Sequence, residues 1–306
     1  MSLYLYCDAS TAHHRNEIRD HVESPKRITE VIKKIISDVD QSKIITKNSS
    51  RKATREDLEK IHDSDYVDDL LELDQIKQQI KFTEIYDDIF VNDYTLNAVL
   101  ASAGMALEAS ESILYGKTDT ALVLSRPPGH HAGYKKPKGF CFVNNICLAV
   151  QKLSQTKKVA VFDWDVHFGD GSAEILNNMA NTLFVSVQRH DNGTFYPATG
   201  STFSKNNIHS IGFNGNITGH DYLKIFNQQV LPLFEKFTPD VICISAGFDA
   251  ARGDPLGLCK LDEEDYVYMI SKLRKITPKI LLCLEGGYDV DMMASCIVSI
   301  IRELTK

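Results

Sequence analysis

The stretch that decides the fold covers residues 159–171, with the sequence Val-Ala-Val-Phe-Asp-Trp-Asp-Val-His-Phe-Gly-Asp-Gly. Its first four residues are apolar, as is typical of a strand covered on both faces. Asp163, Asp165 and His167 follow at alternate positions, so they share one face of an extended chain. Buried carboxylates need a partner for their charge, and a divalent metal ion is a suitable one. The stretch predicts a metal site at a strand end, although solvated acids capping a strand would give the same pattern.

Five further apolar runs predict strands, and most of them also end in polar residues. Strands are predicted at residues 3–7, 120–124, 159–162, 183–187, 241–245 and 280–284, and helices at 25–37, 54–61, 94–115, 144–153, 172–177, 222–237 and 262–276, with short helices and loops over 42–90. This alternation predicts an α/β fold, a single domain over residues 1–306 with a central parallel sheet flanked by helices. Ligands bind such sheets at the carboxyl ends of the strands, so the polar clusters are expected to form one site.

Composition and charge exclude several classes of protein. The 306 residues are 43% hydrophobic and carry a net charge of −7, so the bulk charge gives no electrostatic footprint for nonspecific nucleic-acid binding. It shows neither a signal peptide nor an apolar run of about 20 residues, so we expect a cytoplasmic protein without a membrane segment. The seven cysteines are scattered and form no Cys-x-x-Cys pair, which argues against disulfides and a thiolate zinc site.

Three other strand ends carry residues suited to hydrolysis. His130 and His131 follow a rigid Pro-Pro-Gly loop, and imidazoles transfer protons near neutral pH. Asp249 is a candidate third metal ligand, and Tyr288 follows two glycines, where its hydroxyl can stabilise an oxyanion. Taken singly, a surface histidine pair or an ordinary loop tyrosine explains each motif as well. Taken together they predict a metal-dependent hydrolase with an open coordination position.

The same motifs resemble the histone deacetylase and acetylpolyamine amidohydrolase superfamily, and the class II histone deacetylases within it. The matching motifs, in the family's order from His21 to Tyr288, are Arg-Pro-Pro-Gly-His-His (126–131), Gly-Phe-Cys-Phe-x-Asn-Asn (139–145), Asp-x-Asp-Val-His-x-Gly-Asp-Gly (163–171), Ala-Gly-Phe-Asp-Ala (246–250) and Leu-Glu-Gly-Gly-Tyr (284–288). The resemblance implies an arginase-like α/β domain and an enzyme that removes acetyl or other acyl groups from the ε-amine of lysine in proteins or peptides.

The resemblance also implies a role for each residue of the site. Asp165, His167 and Asp249 would bind Zn²⁺, although Fe²⁺ suits the same ligands. His130 would pair with Asp163 and act electrostatically, whereas His131 would pair with Asp170 and act as general base and acid. Tyr288 would polarise the carbonyl group. A structural K⁺ ion would bind oxygens of Asp163, Asp165, His167 and Ser186.

A tunnel for the acyl-lysine follows from the same resemblance. Gly139 and Phe140 match one wall, and Tyr196 stands where the opposite wall usually has a phenylalanine. Arg27 matches an arginine of the channel behind the metal. Leu256 occupies the position at which polyamine-selective relatives place an acidic residue, which favours acyl-lysine over acetylpolyamine. Asp87 or Asp88 could hold the substrate backbone at the rim, although solvated acids beside a helix are the favoured interpretation.

Three alternatives stay open at this stage. An amidohydrolase for acetylpolyamine or another small molecule would keep the chemistry and change the substrate. A ureohydrolase with two manganese ions is disfavoured, because it needs more carboxylates and no His-His pair. A binding module for acyl-lysine without activity is disfavoured because every catalytic position holds a competent residue. The sequence carries no signal for a particular oligomeric state.

Overall fold

A nine-stranded sheet forms the centre of the molecule, as seen in a computed structural model that describes residues 2–49 and 51–306. The strands are β1 (Leu3–Cys7), β2 (Ile44–Asn48), β3 (Thr120–Val123), β4 (Val159–Asp163), β5 (Thr182–Arg189), β6 (Phe203–Lys205), β7 (Ile208–Phe213), β8 (Val241–Ala246) and β9 (Ile280–Leu284). Their order is β2-β1-β3-β9-β8-β4-β5-β7-β6. Every neighbouring pair is parallel except β6 with β7. The α/β fold with a central, mostly parallel sheet is therefore confirmed.

Helices connect the strands and cover the sheet. They are α1 (Lys26–Asp38), α2 (Arg55–Leu58), α3 (Ser64–Leu71), α4 (Ile76–Ile85), α5 (Thr95–Leu114), α6 (Asn145–Ser154), α7 (Asp170–Leu176), α8 (Gly219–Ile225), α9 (Leu231–Phe237), α10 (Glu263–Leu273) and α11 (Val290–Leu304). Among the described residues, no helix is long and apolar enough to cross a membrane.

The central strands are buried on both faces, because alternate side chains enter two different apolar layers. In β4, Ala160 and Phe162 belong to one hydrophobic cluster, whereas Val159 and Val161 belong to the other. An apolar strand without polar alternation is what burial on both faces requires. All seven cysteines are buried free thiols, as their positions in apolar runs predict.

The structure departs from the predicted elements where the apolar pattern is weak or incomplete. The strands β2, β6 and β7 lie outside the predicted set. The strands β2 and β6 form the sheet edges and keep polar, exposed residues, whereas β7 is mostly buried although its sequence includes His209, Ser210 and Gly212. The helix predicted over 222–237 is present within a continuous helical stretch, in which a π-helical turn at Phe226–Val230 separates α8 from α9. The helix predicted over 54–61 shortens to α2. Helix α11 was missed although its apolar residues repeat at helical spacing.

Candidate active site and metal centre

A cluster of three ligand-type side chains lies beyond the carboxyl ends of β4 and β8. One ligand atom each from Asp165, His167 and Asp249 lies within 4.8 Å of the others. The Nδ1 atom of His167 is 3.0 Å from an oxygen of each carboxylate. Two oxygens and one imidazole nitrogen suit a divalent ion such as Zn²⁺ and leave coordination positions for water and substrate. The structure thus brings the three predicted ligands together.

The charges of the cluster also fit a cation. Burial and the Asp165 carboxylate raise the pKa of Asp249 to about 7. Burial opposes protonation of His167, yet the Asp165 and Asp249 carboxylates raise its pKa to about 10. Raised pKa values at Asp249 and His167 mean that the buried carboxylates repel one another and favour a bound positive charge. A divalent cation can supply that charge in place of a proton.

Backbone N–H groups fix the outer oxygens of both carboxylates. Val166 N donates to Asp249 Oδ1 at 2.8 Å, and Gly286 N donates to Asp165 Oδ2 at 2.9 Å. A β-carbon on Gly286 would lie 2.6 Å from Asp165 Oδ2, so only glycine lets this backbone approach the ligand. The end of β9 therefore helps to hold a ligand that follows β4.

Each histidine of the pair is oriented by a carboxylate. His130 Nδ1 lies 3.1 Å from Asp163 Oδ2, and His131 Nδ1 lies 2.8 Å from Asp170 Oδ1. The two rings are buried, with centroids 4.1 Å apart. Both predicted His–Asp pairs are therefore present in the structure.

The two histidines differ in charge. Burial favours the neutral form of His130, but the Asp165 and Asp163 carboxylates outweigh it and raise its pKa well above the usual value. Burial and the positive charge of His130 lower the pKa of His131 to about 4. These shifts favour protonation of His130 and a neutral ring for His131, which is the form that a general base needs.

Asp170 has a second partner that the sequence did not reveal. Lys138 Nζ lies 2.6 Å from Asp170 Oδ2, on the other side of the carboxylate from His131. Burial opposes ionisation of Asp170, yet hydrogen bonds from His131 and Lys138 hold its pKa well below the usual value. No sequence pattern distinguishes this lysine from a solvated one.

A cavity of about 270 Å³ leads from the surface to the histidine pair and the metal cluster. Its lining includes Gly139, Phe140, Tyr196, Leu256 and Tyr288 together with His130, His131 and His167. Phe195 stacks on the His167 ring at a centroid distance of 5.1 Å and also lines the cavity, which sequence reasoning missed although its neighbour was singled out. Asp88, exposed at the surface, lines the cavity as well, so one of the two acids considered for the rim lies at the site.

The walls formed by Gly139 and Tyr196 fit closely. A β-carbon on Gly139, whose φ is +51°, would lie 2.7 Å from the Tyr196 hydroxyl oxygen and 2.9 Å from His131 Cδ2. That hydroxyl is buried, and no described residue is hydrogen-bonded to it. Burial raises the pKa of Tyr196 well above its usual value, so the hydroxyl keeps its proton.

Tyr288 completes the inner end of the cavity. Its ring lies edge-on to Phe140 at a centroid distance of 6.1 Å, and its backbone N–H donates to Asp254 Oδ2 at 2.7 Å. Burial raises the pKa of its hydroxyl well above the usual value, so this group is a hydrogen-bond donor at neutral pH.

Comparisons with known proteins place this fold and site in a family. The model of the "Histone deacetylase domain" matches residues 21–304. The chain belongs to the histone deacetylase family. Within this family it is class II-like, as its Gly-Phe-Asp-Ala and Glu-Gly-Gly-Tyr motifs predict.

Individual histone deacetylases support this assignment. Histone deacetylase 15 of Arabidopsis thaliana is 35% identical over 266 residues, covering 84% of this chain and 48% of that protein. Histone deacetylase 5 of the same plant is 32% identical and covers 99% of this chain and 48% of its own length. The solved HDA15 HD domain aligns with a TM-score of 0.92 at 31% identity, covering 99% of this chain and 88% of that one. The chain spans about half the length of the curated histone deacetylases it matches.

Arg27 lies behind the cavity of this histone deacetylase domain and not in its lining. The side chain is fully buried, donates from Nε to Gly287 O at 2.7 Å and also bonds to the Glu285 carbonyl. Its guanidinium carbon is 5.2 Å from the centroid of the Tyr288 ring. Contact of Arg27 with a substrate stays a prediction, while its contacts show that it holds the segment 285–288.

Glu285 is a residue of the histone deacetylase motif whose role only the structure shows. Its Oε2 atom accepts hydrogen bonds from the backbone of Gly129 at 2.7 Å and of His130 at 3.0 Å. Burial raises the pKa of Glu285 to about 7. Within the segment 285–288, Glu285 therefore contacts the backbone of the histidine pair, Gly286 contacts the metal ligand Asp165, and Tyr288 lines the cavity.

Proposed function

We propose that this chain is a zinc-dependent deacylase that removes acetyl or other acyl groups from the ε-amine of lysine in proteins or peptides. The observation that carries the proposal is the geometry of His131, which is hydrogen-bonded to Asp170 and lines one cavity together with Tyr288 and the metal-cluster residue His167. Residues 1–306 would act as one catalytic domain. Its partner would be an acyl-lysine protein or peptide, and it would bind neither nucleic acid nor a membrane directly.

The chain's own residues divide the work as follows. Zn²⁺ held by Asp165, His167 and Asp249 would polarise the substrate carbonyl and activate a water molecule. His131 takes the proton of the attacking water and returns it to the leaving amine, because Asp170 fixes its Nδ1 and its ring is neutral. The charged His130, held by Asp163, stabilises the negative charge that develops nearby. The Tyr288 hydroxyl donates to the carbonyl oxygen.

The cavity favours an acyl-lysine over an acetylated polyamine. Phe140 and Tyr196 provide aromatic walls for an aliphatic stem, and Leu256 provides an apolar surface in the same lining. A polyamine carries a second ammonium group, and leucine offers no charge to bind it. The substrate assignment therefore rests on the apolar character of Leu256.

A monovalent cation, K⁺, is proposed at the carboxyl ends of β4 and β5. Asp163 and Ser186 are partners in the register of these parallel strands. The buried Ser186 Oγ atom lacks a hydrogen-bond partner within residues 2–49 and 51–306. Together with oxygens of Asp163, Asp165 and His167, that oxygen would suit a hard cation.

The test is the turnover of acetyl-lysine, trifluoroacetyl-lysine and longer acyl-lysine peptides alongside N-acetylated polyamines. We expect release from the lysine peptides that is lost on removal of the metal, returns with Zn²⁺, and falls at least about 100-fold in kcat for Tyr288→Phe. Turnover of polyamines alone would move the chain to the small-molecule amidohydrolases. Binding of acyl-lysine peptides without any turnover would support the binding module and refute the enzyme.

A further inference from the structure

A second cavity, of about 590 Å³, adjoins the mouth of the acyl-lysine cavity. We call it the rim groove and define it by Ile18, His21, Tyr86, Asp88, Ile89 and Phe90. Asp88 lines both cavities, and the His21 ring packs edge-on against the Phe140 ring with centroids 4.9 Å apart. The rim groove therefore begins where the wall of the acyl-lysine cavity ends.

Backbone hydrogen bonds join the two cavities. The carbonyl oxygens of Asp87 and Asp88 accept hydrogen bonds from Gly139 N and Phe140 N, each at 3.0 Å. The segment that forms one side of the rim groove thus also holds the wall of the acyl-lysine cavity. A ligand that fills both would meet a single, continuous surface.

Apolar side chains form part of the lining of the rim groove, which Glu17 and Arg19 also line. Ile89 and Phe90 are 5% and 8% exposed, whereas Ile18 in the same lining is 92% exposed. Asn16 Oδ1 accepts hydrogen bonds from Ile18 N at 2.9 Å and from Arg19 N at 3.1 Å, which holds the isoleucine at the tip of a turn. Burial of so exposed an isoleucine against an apolar partner is favourable.

We propose that the rim groove binds a bulky apolar side chain of the substrate, two residues away from the acyl-lysine. The inference rests on the proposed function and names the class of peptide that the same site selects. In an extended peptide, residues i and i±2 share a face and lie about 7 Å apart. When the acyl-lysine enters the cavity, the side chain two positions away is directed at the rim, while its immediate neighbours point away from it.

The test uses the full chain loaded with Zn²⁺ and acetyl-lysine peptides with glycine at every flanking position, into which one leucine is introduced at −2, −1, +1 or +2. We expect kcat/KM to rise about tenfold for leucine at one of the two positions two residues away, and to stay unchanged for the adjacent positions. Ile18→Ser should reduce that preference to about twofold or less. Ile36→Ser, which removes an equally large isoleucine, 63% exposed in α1, should keep the full preference.

Equal kcat/KM for leucine at all four positions would overturn the proposal, as would a full preference in Ile18→Ser. A blocked acetyl-lysine without flanking residues separates the two hypotheses, because its turnover tests the proposed function alone. If that compound is not hydrolysed, fluorescence anisotropy of the labelled peptides decides about the groove. Tighter binding of one leucine peptide, lost in Ile18→Ser, supports it, and equal binding of leucine and glycine peptides refutes it.

Discussion

The Glu285 side chain accepts a hydrogen bond from the His130 backbone N–H at 3.0 Å, and a shorter one from Gly129 at 2.7 Å. These bonds connect the end of β9 with the loop that follows β3, and they lie beneath the histidine pair. Because every atom involved is buried, loss of the acceptor would leave two backbone donors without a partner.

Replacement of Glu285 by alanine is therefore expected to lower kcat/KM at least tenfold and the free energy of unfolding by about 2 kcal/mol. Glu285→Gln keeps an accepting oxygen of the same reach and should retain most of the activity and stability. Steady-state kinetics and thermal melts of both variants measure the difference. An alanine variant with wild-type kinetics and melting temperature would show that the histidine loop needs no such anchor.

Lys138 is expected to tune the general base through Asp170. In Lys138→Met the full negative charge of Asp170 acts on His131, so the pKa of the imidazole rises and the acid limb of kcat/KM moves to higher pH. Lys138→Arg restores a positive charge and should restore the wild-type profile. Superimposable pH profiles for the wild type and Lys138→Met would contradict this role.

Tyr196→Phe should stabilise the protein or leave its stability unchanged. The hydroxyl is buried without a partner in the described part of the chain, and burial of an unsatisfied hydroxyl costs about 1–3 kcal/mol. We expect a higher melting temperature together with faster turnover of longer alkyl acyl groups relative to acetyl. Tyr115→Phe, at a position 65% exposed, is the matched control and should change neither property. A lower melting temperature for Tyr196→Phe would show that the hydroxyl has a partner in solution.

His62 is expected to make the free energy of unfolding depend on pH between about 6.5 and 4. Its Nδ1 bonds to Gly133 O at 2.9 Å and its Nε2 accepts from Asn144 N at 3.2 Å, which requires a neutral ring. Burial lowers its pKa to about 4. Below pH 6.5 the unfolded chain therefore binds a proton that the folded chain does not, and stability falls with pH by about 1.4 kcal/mol per unit from this residue.

Melts of His62→Gln and of the wild type at pH 7 and pH 4.5 measure this contribution. The variant should lose less stability than the wild type on acidification. His220→Gln, at an exposed position, serves as the control and should follow the wild type. An equal acid-induced loss in His62→Gln and the wild type would exclude His62 as the source.

The chemistry-bearing residues could be predicted because the reaction restricts their types and spacing. Asp163, Asp165 and His167 share a strand end, and their alternation is visible in the sequence. The buried strands of the sheet centre were recognisable for a similar reason, since burial on both faces leaves no polar residue. Both the alternating metal-type residues and the buried strands can be recognised from the local sequence pattern.

The supporting contacts could not be predicted, because they join residues distant in the chain through backbone atoms or ordinary side-chain types. Lys138 differs from a solvated lysine only by its distance to Asp170, and the Glu285 contact is made to backbone N–H groups, which carry no sequence information. The edge strands could not be predicted because they are mostly exposed. For example, β2 buries only Ile44, so its polar pattern resembles that of a loop.

The position of β9 has a consequence for synthesis of the chain. This strand lies between β3 and β8, and it is the last of the nine to leave the ribosome. Until Ile280–Leu284 emerges, β2-β1-β3 and β8-β4-β5-β7-β6 are separate half-sheets with unpaired inner edges. Such edges invite pairing with other chains, so the nascent protein is expected to need protection by chaperones until the central strand joins its two halves.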